Sequence, residues 1–158
     1  MDSNSKAAEE IRKRIQQKRD SYLARNADGA LDVWLNREDI CVFDLGATLQ
    51  YFGFEALKKT THEMVAGSVG EFKIDFGSPT VLTSDDLGCS WQILRVVAQQ
   101  KDGRTTDIQV RQTDVWRRVD GRWYIVHEHN SLPMKEGVSE ELLSISDTTM
   151  GGHPVSRD

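Results

Sequence analysis

The chain of 158 residues is long enough for one domain with a real core and too short for two comfortable ones. Its formal net charge of -5 and 38% hydrophobic content describe an acidic globular protein, without the basic stripe that nucleic-acid binding calls for. No apolar run approaches the roughly 18 to 20 residues needed to span a membrane. The N-terminus MDSNSKAAEE also lacks the apolar core of a signal peptide, so a cytoplasmic protein with neither membrane nor nucleic-acid partners is expected. Cys41 and Cys89 have no C-x-x-C spacing and are expected to be free thiols.

Ser5 to Asn26 predicts a helix whose Ala8, Ile11, Ile15, Tyr22 and Leu23 keep one stripe apolar. Its other face, with Arg12, Lys13, Arg14, Lys18, Arg19 and Arg25 among Glu9, Glu10 and Asp20, reads as solvated. Tyr22 adds a phenol to the apolar stripe, either as a satisfied core residue or as a substrate contact. Asn26 to Gly29 breaks this helix, and Ala30 to Asn36 predicts a short second one carrying Trp34. Ile40 to Asp44 reads as a short strand turned by Leu45-Gly46. Asp44 then precedes the aromatic segment of Tyr51, Phe52 and Phe54, where its carboxylate is either partly desolvated or bonded to its own turn. A third helix is predicted over Phe54 to Ala66, closed by Gly67, with His62 on its surface. Glu71 to Thr83 follows as a strand interrupted at Gly77-Ser78-Pro79.

Three long strands complete the domain, which is expected to span residues 5–133. Residues 134–158 read as an extension, with a short helix near Glu140 to Ser144 and a polar, glycine-rich tail from Asp147. Helices first and a strand meander after them predict an α+β fold, with helices on one face of a curved antiparallel sheet.

The stretch TDVWRRVDGRWYIVHEHNSL, Thr113 to Leu132, is the richest in chemistry. Asp120-Gly121 between two alternating runs predicts a type I′ hairpin, which pairs Trp116 with Ile125, Asp114 with His127 and Gln112 with His129. A second turn at Asp102-Gly103 would bring Cys89, Trp91, Ile93 and Arg95 into the same layers. One face then carries Trp91, Asp114, His127, Gln112, His129 and Arg95 beside Trp116 and Ile125. Charged groups on an aromatic-lined face predict a polar-floored pocket. Ser90, Gln92, Glu128 and Asn130 fall on the other face, with Leu94, Val96, Val115, Tyr124 and Val126. A single strand bulge near either turn would shift the register by one and exchange the faces.

This hairpin, with CVFDLG and the helical start before it, resembles the nuclear-transport-factor-2-like superfamily, and within it the SnoaL-like domains. It is also similar to the association domain of calmodulin-dependent kinase II, whose pattern runs T-R-V-W, D-G-K-W and V-H-x-H-x-S. The resemblance implies a cone in which a bent sheet wraps around the helices and encloses a deep pocket, in a homodimer or larger assembly. In the ketosteroid isomerase branch a general-base aspartate ends the first strand in a D-P-V-G motif, a place that Asp44 takes here without the proline. That branch's helical tyrosine falls near Tyr22. Of the pocket arginines in the kinase association domain Arg95 matches one, while Asp114 and Asn130 stand where two others would be.

The sharpest expected constellation is Asp114 beside His127, with Asp44 at the pocket wall. A carboxylate orients an imidazole and raises its pKa, which suits acid–base work near neutral pH. Asp44 would be the base, His127 oriented by Asp114 the acid, and Arg95 a carbonyl anchor. Tyr22, Trp34, Tyr51, Phe54, Trp91, Gln112, Trp116 and His129 would contact the substrate. The expected reaction is isomerisation, dehydration or cyclisation of a hydrophobic oxygenated molecule, polyketide-, terpenoid- or steroid-like, with no cofactor. The H-x-H spacing beside Asp114 also admits a metal, but the resembling family ordinarily carries none there. The alternative is a non-catalytic ligand-binding or oligomerisation domain in which Asp114 and His127 merely satisfy one another.

Overall fold

A computed structural model describes residues 5–45, 48–101 and 103–133. Gly46, Asp102, the predicted helix after residue 139 and the polar tail lie outside these residues. Helix α1 spans Lys6–Leu23, and Ser5 caps it by accepting a hydrogen bond from Ala8 N at 3.1 Å. Its apolar stripe, Ala8, Ile11 and Ile15, is buried against the sheet. Helix α2 covers only Ala27–Leu31, not Ala30 to Asn36. The Asn26 side chain accepts from Gly29 N at 2.9 Å and so starts the helix early. Beyond Leu31 the chain extends, because Ile125 captures it through Ile125 N to Val33 O at 2.8 Å and Leu35 N to Ile125 O at 3.0 Å.

The strands are β1 Cys41–Phe43, β2 Tyr51–Phe52, β3 Ser68–Phe76, β4 Thr80–Ser84, β5 Leu87–Gln100, β6 Thr105–Val119 and β7 Arg122–Ser131, with helix α3 Phe54–Gly67 between β2 and β3. They form one sheet in the order β2-β1-β7-β6-β5-β3, with β4 also paired to β5. Only β1 runs parallel to its neighbour, β7. This is the expected α+β cone: a strongly curled sheet around the N-terminal helices.

Two details of register decide which side chains face inward. The Asp120-Gly121 turn has φ of 49° and 80°, as a type I′ hairpin requires, and it pairs Val119 with Arg122 and Trp116 with Ile125 as expected. Beyond that pair the register slips, and Val115 faces His127 because Val126 is an extra residue in β7. On the other side β5 and β6 are joined through a longer loop than the two-residue turn expected, the last pair being Gln99 with Thr105. That moves every β5 partner by one and exchanges the faces of the strand.

The inner face therefore carries Ser90, Gln92 and Leu94 from β5, Val110, Gln112, Asp114 and Trp116 from β6, and Ile125, Glu128 and Asn130 from β7. Trp116, Trp123 and Ile125 pack with Ile11, Ile40 and Val33 into the core. Gly88 is where α1 comes closest to the sheet, since a Cβ there would stand 2.7 Å from Ile11 Cδ1 and 3.4 Å from both Trp116 Cβ and Leu82 O. Gly88→Ala is expected to destabilise the fold by about 1–3 kcal/mol through overpacking, read as a lower urea midpoint at unchanged m.

Candidate functional site

A cavity of about 300 Å³ opens between α1, α3, the loop after β1 and the inner face of the sheet. Its walls are apolar, with Phe72, Ile74, Leu94, Val96, Ile108 and Val110 prominent, and its polar end gathers Lys18, Tyr22, Asp44, Gln112, Glu128 and Asn130. Lys18 reaches this point because residues 11, 15, 18 and 22 lie on one stripe of α1.

Beneath the polar end, Lys18 is buried and donates to Glu128 Oε2, with its ammonium 5.2 Å from the centre of the Trp34 ring. Burial works against the Lys18 charge, but Glu128 and then Asp114 outweigh it and hold the ammonium above the ordinary lysine range. Burial would likewise raise Glu128, yet the Lys18 charge and hydrogen bonds from Lys18, Asp114 and Asn130 keep it below its usual value. Asp114 goes the other way: burial drives it well above the carboxylate range, opposed by Lys18 and reinforced by Glu128.

Asp114 is 2% exposed, and its Oδ2 accepts from Ser90 Oγ at 3.1 Å. Its Oδ1 finds no donor among the described residues. Glu128 stands opposite Asp114 across the strand pair, and the contact between the two carboxyls favours the proton on Asp114 and the charge on Glu128, beside the Lys18 ammonium.

Nearer the cavity, Asn130 Nδ2 bridges two carboxylates, donating to Glu128 Oε1 at 2.9 Å and to Asp44 Oδ1 at 3.2 Å. Asp44 Oδ1 also accepts from Leu45 N at 2.8 Å. The Tyr22 phenol is pushed up by burial, with Lys18 offsetting part of the rise, so it remains a protonated donor at neutral pH. Its hydroxyl also engages Thr61 on α3.

Of the residues expected from sequence, the structure brings Tyr22, Asp44 and Gln112 to the cavity and sets Asp114 just beneath it. The slipped register sends the others elsewhere. Trp91 stands on the outer face at 43% exposure, and Arg95 is exposed there in a two-pronged pair with Asp107 at 2.7 and 2.8 Å. His127 is turned away from Asp114, its Nδ1 2.9 Å from the Cys41 carbonyl and its ring edge-on to Phe43. His129 is exposed on the same outer face beside Phe43. The expected Asp114–His127 pair is replaced by Asp114 with Glu128, because Val126 bulges.

Trp34 and Trp116 are core residues, and Tyr51 and Phe54 pack against that core; none of the four lines the cavity. With Asp114 inside and both histidines outside, the H-x-H metal arrangement has no third ligand, and among the described residues no metal-holding cluster forms. Cys41 and Cys89 are free thiols. No helix among the described residues is long and apolar enough to cross a membrane.

Sequence reasoning missed Lys18 and Glu128, and its flat register set Asn130 on the outer face although the resemblance put that residue at a pocket position. Lys18 left a signal, since it falls three residues after Ile15 and four before Tyr22 on the buried stripe. Glu128 left none apart from the possibility of a bulge. A second depression, of about 480 Å³ beside Trp34, Phe54 and Tyr124, brings no comparable chemistry together. Its Asp28 is bound to His62, and its Asp32 to Arg14 and Arg122.

Comparison with solved structures gives the same architecture. A nuclear transport factor 2-like protein of unknown function from Pseudomonas putida superposes with a TM-score of 0.74 at 26% identity, over 85% of this chain and 92% of that one. A nuclear transport factor 2-like superfamily protein from Salmonella enterica gives 0.73 at 18% identity, over 84% and 94%. A protein from Xanthomonas campestris named for the calcium/calmodulin-dependent protein kinase II association domain gives 0.68 at 20%, over 86% and 93%. No curated protein matches the chain significantly. The family model described as the SnoaL-like domain matches residues 11–135, which take in the cavity and every group at its polar end, and the chain belongs to that family.

Proposed function

We propose that the protein is a cofactor-independent acid–base catalyst, an isomerase, dehydratase or cyclase, for a hydrophobic oxygenated small molecule of polyketide, terpenoid or steroid type. The observation that carries this reading is one carboxylate, Asp44, held by Leu45 N and Asn130 Nδ2 at the polar end of an apolar cavity that also holds the Tyr22 phenol. Asp44 takes a proton from carbon next to a carbonyl. Tyr22 donates a hydrogen bond to the oxygen on which charge develops, or a proton to a departing hydroxyl, which leaves as water. Asn130 orients the base, and the Lys18–Glu128–Asp114 group holds Asn130. In this reading His127 and Arg95 have no part, being on the outer face. A protein of this fold from Streptomyces avermitilis, 12% identical with a TM-score of 0.70, is provisionally assigned as a dehydratase.

A panel of β-hydroxy ketones and β,γ-unsaturated ketones, followed by ultraviolet absorbance and by deuterium uptake from solvent, tests the reading. On a substrate so found, Asp44→Asn is expected to lower kcat by about 10²- to 10⁴-fold and Tyr22→Phe by about 10²-fold. Unchanged turnover in both variants would remove the roles assigned here.

A second reading, self-association through the sheet, has its own observation. The outer face exposes Trp91 and Ile93, 43% and 53% accessible, instead of the Leu94 expected there, which is buried on the inner face. The two readings are compatible, since the surfaces lie on opposite sides of one sheet.

A further inference from the structure

The hydrogen bonds at the end of the cavity run in one direction. A carboxylate only accepts, so the Asn130 amide must turn its NH₂ to both Asp44 and Glu128. Its Oδ1 is then left to accept from Gln112 Nε2 at 3.1 Å, and Gln112 Oε1 in turn accepts from Gln92 Nε2 at 2.9 Å. The chain ends at Gln92 Oε1, which is buried and without a donor among the described residues. Both amide protons of Asn130 are used within the protein, and Gln112 and Gln92 each commit one of their two to the next amide. The cation in the lining, Lys18, is likewise spent on Glu128, while Asp44 adds a further carboxylate. Among the described residues no group donates to Asp44 Oδ2, and the lining also holds the hydroxyls of Thr106 and of Tyr22, the latter engaged with Thr61.

We infer that the cavity selects hydrophobic molecules whose buried end carries no negative charge, a hydroxyl or a protonated amine among them, and that it rejects carboxylates of the same shape. The selectivity comes from Asp44, which stands beside the Lys18–Glu128 pair with no further cation among the described residues of the lining, so an anion entering the cavity meets like charge in a poorly solvated space. The inference rests on the reading of this cavity as the ligand site and adds the class of head group.

Four probes on one skeleton test it by calorimetry on the full chain at pH 7: naphthalene-2-methanol, 2-(aminomethyl)naphthalene, 2-naphthamide and 2-naphthoate. The alcohol and the amine are expected to bind, with naphthoate weaker by about tenfold or more. The isosteric amide, free of charge, is expected to bind better than naphthoate, which separates charge from shape. Asp44→Asn, checked for an unchanged melt, is expected to narrow the gap between alcohol and carboxylate. Naphthoate binding as tightly as the alcohol, or a gap unaltered in Asp44→Asn, would overturn the inference even if that variant had lost turnover. The expected ranking together with full turnover in Asp44→Asn and Tyr22→Phe would overturn the catalytic reading and leave this one standing.

Discussion

Lys18→Met is expected to cost about 3–5 kcal/mol at pH 7, because it leaves Glu128 buried at 6% exposure without its counter-charge. Methionine matches the lysine stem in size and gives up only the ammonium, with its contact over the Trp34 ring, so the loss is electrostatic rather than a cavity. The double variant Lys18→Met/Glu128→Gln is expected to lose clearly less than Lys18→Met alone, since no charge then remains to be compensated. The response to pH gives a further check. In the intact protein Glu128 has a folded-state pKa below its unfolded value, so its contribution is present above the unfolded value and lost as pH falls through the folded one. Without Lys18 the order is expected to reverse: burial, the largest influence on Glu128 and then opposed only by the hydrogen bonds from Asp114 and Asn130, lifts it above its unfolded value, and the folded state binds the extra proton. Lys18→Met should therefore regain stability as pH falls from 7 toward 5. Urea titrations at the two pH values measure this, and equal losses at both would show that Lys18 serves only as packing.

Trp116→Ala is expected to be comparably severe, at about 3–5 kcal/mol. Trp116 is fully buried in the core cluster, and its Nε1 donates to Ser90 Oγ at 2.9 Å. Ser90 Oγ in turn donates to Asp114 Oδ2, so the indole aims the hydroxyl at the carboxyl. Alanine opens a cavity and removes this constraint together. Trp116→Phe keeps most of the ring and loses the N–H, so its expected cost is nearer about 1–3 kcal/mol. Denaturant midpoints decide between the two contributions: if the Phe and Ala variants fell by equal amounts, the hydrogen bond would outweigh the packing.

Much of this was legible in the residues. The apolar stripe of α1, the break at Gly77 to Pro79 and the Asp120-Gly121 turn each act through contacts a few residues apart, so local chemistry was enough to place them. The family was legible too, because the hairpin around that turn carries its pattern. Asp44 was found for a similar reason, as the residue just past a short hydrophobic strand.

What only the tertiary structure decided was the partner of each buried polar group. Asp114 was correctly read as inward-facing, but whether it met His127 or Glu128 depended on one extra residue at Val126, and whether β5 offered it Trp91 or Ser90 depended on the length of one loop. Side chains alternate at a period of two, so an error of one residue exchanges a whole face. Lys18 belonged to a basic face by composition and to the core by position, and the buried Glu128 that accepts it lies 110 residues away. Local periodicity sets which face a residue takes within its own strand or helix; bulges, loop lengths and long-range charge pairing set what stands opposite it.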